Sequence, residues 1–208
     1  MTKIKVKKIY VLFIFAIILI ITIFICGRNI EKKQNKIYEQ FLNGQIQVEN
    51  KDGKKYLIEE LFKNSDDIKY LIFDIDNDGN QELHIRDTRS YYIFKSRKDK
   101  LEIIYDGTSY EYPIAKENLI GVLYYREGGA PFHETYYFTR FQEDGKTIRE
   151  SVYEWYDNDG DYRMGKEDVY FKNGEEQEKE VWKIETKVYR EINRMEIQWT
   201  GIDKVDSM

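Results

Sequence analysis

From Ile68 onward the chain is written in short runs of alternating or near-continuous apolar residues. They are "KYLIFD", "ELHIR", "YYIFKS", "LEIIYD", "LIGVLYYRE", "HETYYFTRF" and "TIRESVYEWYD". Each is followed within a few residues by turn formers: "NDGN", "DTRS", "RKDK", "DGTS", "REGGAP", "EDGK" and "DNDGD". A period of two punctuated in this way predicts strands. Connections this short cannot carry a parallel crossover, so successive strands must be antiparallel neighbours in a meander. The abundance of Tyr, Ile, Phe and Val, with only 2 prolines, favours a packed strand-rich domain over disorder.

Ahead of the strands the period is helical. "NIEKKQNKIYEQFLNGQ" places Ile30, Ile37, Tyr38, Phe41 and Leu42 on one face and ends at Asn43-Gly44. "KYLIEELFKNS" predicts a second, shorter helix through Leu57, Ile58, Leu61 and Phe62. Near the C-terminus "GEEQEKEVWKIETKVYREI" predicts a third, burying Val181, Trp182, Ile184 and Val188, and "RMEIQW" predicts a last strand. The expected fold is α+β: one curved antiparallel meander sheet with helices packed on one face.

The first residues have a different character. Lys3, Lys5, Lys7 and Lys8 precede an uncharged run from Ile9 to Cys26. As a helix that run would span about 27 Å, close to the thickness of a bilayer's hydrocarbon core. Its end, "ITIFIC", lacks the small residues of a signal-peptidase site, so the segment reads as an uncleaved signal anchor. A lipoprotein anchored at Cys26 is the alternative, although Ile25 stands where such signals carry a small residue. The lysines keep the N-terminus cytoplasmic. The expected organisation is a basic cytoplasmic segment at 1–8, a transmembrane helix at 9–26 and an extracytoplasmic domain at 28–208, with 28–36 as a candidate stalk. With a single cysteine no intrachain disulfide is possible. Beyond the anchor the chain has 29 basic and 38 acidic residues, a balance of about −9, which argues against a nucleic-acid partner.

"FDIDNDGNQEL", residues 73–83, is the strongest chemical motif. Asp74, Asp76 and Asp78 followed by Gly79 match the first half of an EF-hand loop, where alternate oxygens surround a hard cation and glycine permits the turn. The twelfth position, which should supply a bidentate Glu, is Ile85, and the flanks read as strands. No Lys or Arg lies between Lys69 and Arg86, so the carboxylates are expected to repel one another unless a cation sits among them. The loop resembles the calcium-binding β-hairpin loops of FG-GAP repeats in integrin α-subunits. That resemblance implies Asp74, Asp76 and Asp78 as side-chain ligands, the Asn80 carbonyl as a further ligand and Glu82 closing the shell. A structural Ca²⁺ is expected, with modest affinity on the order of 10⁻⁴ to 10⁻³ M because the twelfth ligand is missing.

A longer stretch, from about Tyr38 to Trp182, resembles uncharacterised secreted or membrane-anchored proteins of Gram-positive bacteria. The likeness rests on "YEQFLNGQI", "YLIFDIDNDGNQELHIR", "YYIF", "LEIIYDGTSYEYPI" and "GVLYYREGGAPFHETYYF". It implies an outward-facing domain and brings no activity with it. A second acidic stretch, "YDNDGDYRMG" with Asp157, Asp159 and Asp161, has Tyr162 in place of the glycine and reads as a plain hairpin turn.

Catalytic constellations are scarce. The chain has no Gly-x-Ser-x-Gly elbow, its only cysteine belongs to the anchor, and "HETYY" has Tyr137 where a zinc-protease helix needs its second histidine. His84, in a strand, reads as a packed or surface imidazole. In "VLYYREGGAPFHETYYFTRF" the pairs Tyr124/Tyr125 and Tyr136/Tyr137 point to opposite sheet faces, one of each toward the core. The outward tyrosines and Phe132 form a candidate patch for an envelope glycan or peptide. The expected protein is a membrane-anchored, calcium-stabilised binding module at the cell surface. A cell-envelope hydrolase using acidic residues and a membrane-tethered immunity or inhibitor protein are the alternatives.

Overall fold

A computed structural model describes residues 32–65, 67–98, 100–116, 119–129, 133–142, 146–165, 167–192 and 198–202. The expected anchor at 9–26 and Cys26 lie outside the described residues, as do Ile30 and Phe132. Among the described residues no helix is long and apolar enough to cross a membrane.

The fold is α+β and its sheets are antiparallel but for one pairing. Helix α1, residues 32–42, ends as the glycine signal requires: Gly44 has a φ of +67° and its N–H bonds the Phe41 carbonyl. Part of the expected stalk is thus helical. Strands β1 (Val48–Glu49) and β2 (Lys55–Tyr56) form a small hairpin. Helix α2 (Ile58–Leu61) follows, its start held by the Glu60 carboxylate accepting from the Leu57 N–H at 2.7 Å. Strands β3 (Lys69–Phe73), β4 (Glu82–Arg86), β5 (Ser90–Arg97) and β6 (Lys100–Thr108) are the meander that the alternation predicts.

There the expected single sheet fails. Strand β7 (Glu111–Lys116) does not pair with β6 but begins a second sheet with β8 (Leu119–Gly128), β9 (His133–Phe141), β10 (Thr147–Tyr156), β11 (Val169–Lys172) and β12 (Glu175–Glu176). The buried Glu111 makes the break. Its carboxylate accepts from the Thr108 N–H at 2.6 Å and the Tyr105 hydroxyl at 2.7 Å, folding back over Gly107. A Cβ at Gly107 would stand 1.8 Å from that carboxylate, so glycine is required there for space.

The first sheet has the order β13-β3-β4-β5-β6-β1-β2, where β13 is Thr200–Gly201, and the second runs β12-β11-β10-β9-β8-β7. The exception to antiparallel pairing is β1 against β6, through Glu49 and Glu102. The predicted strand "RMEIQW" lies mostly outside the described residues. Each sheet carries its own helices. Ile37, Tyr38 and Phe41 of α1, with Ile58 and Phe62, pack on Leu83, Ile85, Phe94 and Leu101. Helix α3 (Lys179–Arg190) packs Trp182 and Tyr189 on Phe138, Tyr136 and Tyr153. A third cluster joins Ile75, Tyr91, Ile93 and Ile104 to Val122 and Phe141, fastening the sheets together.

Helix α3 also corrects a prediction. Trp182 is buried as expected and Val188 packs against the core, but Val181 and Ile184 are exposed, at 43% and 74%. The inward face is set by Trp182, Thr186 and Tyr189, spaced four and three apart, and Ile184 falls opposite it.

Candidate metal centre

The acidic motif is the β3–β4 hairpin loop, and its side chains divide by parity. Ile75 is fully buried in the cluster between the sheets and pins the loop down. Asp74, Asp76 and Asp78 turn to the other side. Each spends one oxygen on the loop's own backbone. Asp74 Oδ2 accepts from Gly79 N–H at 3.0 Å, Asp76 Oδ1 from Asp78 N–H at 3.3 Å and Asp78 Oδ1 from Asn80 N–H at 2.7 Å. Gly79 has a φ of +87° with open space around it, so here glycine serves conformation. The hydrogen bonds leave the three carboxylates convergent, with one oxygen of each within 4.8 Å of the others, and the group could hold a metal ion. Asp74 Oδ1 is buried and accepts no hydrogen bond among the described residues.

The expectation that no basic group neighbours these carboxylates is overturned. Pairing of Leu83 with Phe94 brings the next residue of β5, Lys95, alongside Glu82. Its ammonium donates to Asp76 Oδ2 and, at 2.7 Å, to Asp78 Oδ2, with Glu82 Oε1 3.1 Å away. The Lys95 side chain is only 6% exposed and those of Asp76 and Glu82 are fully buried. Burial alone would push the lysine down, but the hydrogen bonds it donates to Asp76 and Asp78 and the Glu82 charge hold it well above its ordinary value. Asp78 is held low despite burial, chiefly by its hydrogen bond from Lys95. One ammonium does not satisfy the whole cluster. Burial pushes Glu82 up to about 7, although the Ile75 N–H and Lys95 both favour its charged form.

Glu82 therefore lies at the site, tied to Ile75 N–H at 3.1 Å, while the convergent metal group consists of the three aspartates. Asn80 binds Asp78 through both its backbone N–H and its side-chain amide. Helix α1 reaches the loop through the Tyr38 hydroxyl, which donates to the Gln81 carbonyl at 2.7 Å.

The second acidic stretch is built on the same plan, not as a plain turn. Asp157 Oδ2 accepts from Tyr162 N–H, Asp159 Oδ1 from Asp161 N–H and Asp161 Oδ1 from Arg163 N–H, repeating the spacing of the first loop. Tyr162, at φ +58°, occupies the conformation that Gly79 adopts. The group that could hold a metal here is Asp157, Asp159 and Asp168. Asp168 stands at the twelfth position counted from Asp157, and that spacing was available in the sequence. The buried carboxylates of this loop are already engaged. Asp157 also accepts from Gly160 N–H, and Asp168 accepts from Trp155 Nε1, Asn158 N–H and Gly165 N–H, which hold it low despite burial.

His84 is fully buried. Its Nε2 faces the Phe73 carbonyl at 3.2 Å and its Nδ1 the Tyr91 hydroxyl at 2.6 Å. A carbonyl only accepts, so Nε2 carries the proton and Nδ1 accepts from tyrosine. Burial pushes this imidazole down to about 3. The tyrosine pairs divide as expected: Tyr136 joins the core with Tyr125 packed against it, while Tyr124 and Tyr137 stack on the other face at 4.3 Å.

Comparison with models of protein families, with curated proteins and with solved structures finds no match to this chain.

Proposed function

We propose that the protein is a membrane-anchored extracytoplasmic binding module whose β3–β4 loop clasps a calcium ion. The observation that carries this reading is the convergence of Asp74, Asp76 and Asp78, with Asp74 Oδ1 buried and unpartnered. An orphaned buried carboxylate oxygen is costly, and a hard dication satisfies it. Four carboxylates, Asp74, Asp76, Asp78 and Glu82, also stand against the one ammonium of Lys95. Calcium suits an irregular oxygen cage better than magnesium. The lysine cluster and apolar run at the N-terminus support the anchor and its orientation. The module acts by binding, with the face around Tyr124 and Tyr137 offered to an envelope glycan or peptide.

A second reading has one observation in its favour: the Lys95 ammonium sits where an ion would. On that reading lysine permanently replaces the metal. Thermal melting of the full chain in detergent separates the two. A ligand at about ten times its Kd stabilises the folded state by roughly 1.4 kcal/mol, a shift of about 3–6 °C for a domain of this size. Calcium should raise the melting temperature by that amount over chelator, and Asp76→Ala should abolish the response. An unchanged melting temperature assigns the site to lysine alone.

A further inference from the structure

The first sheet leaves one long edge incompletely covered. Strand β1 pairs with β6 only where Glu49 meets Glu102. Beyond that point, among the described residues, β6 has no strand on this side, and a cleft of about 610 Å³ opens along it. Its size is that of a small-molecule site.

Three tyrosines line it: Tyr56 from β2, Tyr92 from β5 and Tyr105 from β6. Their rings are fixed from behind. Tyr56 packs on the first core cluster, Tyr92 lies edge-on to Phe62 at 5.4 Å, and Tyr105 meets Phe141 at 5.4 Å with its hydroxyl held by Glu111. A ligand would therefore meet ordered aromatic surface and would not have to freeze it.

Charge completes the description. Asp52, Glu60 and Asp106 line the cleft against Lys51. Asp106 is cross-strand partner to Tyr92, which places the carboxylate beside an aromatic ring. Partial desolvation raises its pKa, and no hydrogen bond or positive charge among the described residues offsets the effect. Glu60 is only partly committed, with one oxygen on the Leu57 N–H. Electron-rich ring faces together with carboxylates attract one chemical class above others, the organic cation.

We propose that this cleft is a binding site for an alkylammonium group, taken up between Tyr56 and Tyr92 and charge-paired with Asp106, which shares the face of Tyr92. The proposal rests on the reading of the domain as a binding module and gives that module a ligand chemistry. It is independent of the calcium clasp, because the cleft shares no residue with the β3–β4 loop.

Calorimetric titration of the full chain in detergent, with calcium in excess to fill any acidic loop, tests it. The probes are n-butylammonium and choline, each set against a neutral counterpart of similar shape, 1-pentanol and 3,3-dimethylbutan-1-ol. The two cations distinguish a primary amine from a quaternary ammonium as the preferred source. At least one should bind about tenfold more tightly than its alcohol. Asp106→Asn, at an exposed position that leaves the fold intact, should weaken that binding about tenfold, and Tyr92→Leu should weaken it as well. Equal binding of the alcohols, no heat from any probe, or indifference to Asp106→Asn overturns the proposal. None of these outcomes depends on whether calcium binds.

Discussion

Lys95 is the residue on which the account of the acidic loop turns. Its ammonium and a calcium ion would both draw on the carboxylates of Asp76 and Asp78, so the two compete for one space. Removing one member of a buried ion cluster leaves the others uncompensated and costs about 3–5 kcal/mol. Lys95→Met should therefore lose about that much stability in chelator, measured by denaturant unfolding, and calcium should restore most of it. The gain from calcium should exceed that of the wild type, since no ammonium has to be displaced. A variant as stable as wild type in chelator would mean that the lysine lies outside the cluster in solution. Nothing in the local sequence discloses Lys95, because its approach depends on the register between β4 and β5, whereas the Asp-x-Asp-x-Asp-Gly spacing announces the loop by itself. Asp168 was legible in principle: it stands at the twelfth position of the stretch that begins at Asp157, where an EF-hand loop carries its closing acid.

At the scale of elements, helix α3 offers the sharpest contrast between neighbours. Trp182 is fully buried against Tyr136 and Tyr170, whereas Ile184 is 74% exposed. Trp182→Ala should cost about 3–5 kcal/mol by leaving a cavity under the helix. Ile184→Ala should stay within about 0.5 kcal/mol of wild type. Chemical denaturation of both variants checks the assigned face, and similar losses would contradict it. The sequence pattern placed this helix but misjudged its face, because counting apolar residues weighted Val181 and Ile184 equally with Trp182 and overlooked Thr186. The β3–β4 hairpin was legible because its strands alternate cleanly around one turn signal. Strand β7 was not, since Pro113 weakens its pattern; as an edge strand of the second sheet, β7 tolerates that proline. Connection length reports only that strands are close in the chain. It cannot tell that Glu111 folds back over Gly107 and sends the chain into a new sheet.

For the whole molecule, the loop lies where several parts meet. Ile75 anchors it in the cluster that joins the two sheets, Tyr38 ties it to α1, and Lys95 ties it to β5. Filling the clasp should thus stabilise both sheets together and not the hairpin alone. Helix α1 leads back toward the apolar N-terminal run, so the proposed topology sets the domain outside the membrane, where calcium is abundant. Protease added to intact, wall-stripped cells should digest the domain; survival until the membrane is permeabilised would reverse the orientation. The central claim, that Asp74, Asp76 and Asp78 bind a divalent ion in the space shared with Lys95, is tested most directly by calorimetric calcium titration of the wild type and Lys95→Met in parallel. The account predicts one ion per chain at this loop in both, bound more tightly by Lys95→Met, with the heat abolished by Asp76→Ala and untouched by Asp159→Ala. Absence of calcium binding in both proteins, or binding that survives Asp76→Ala, would contradict it.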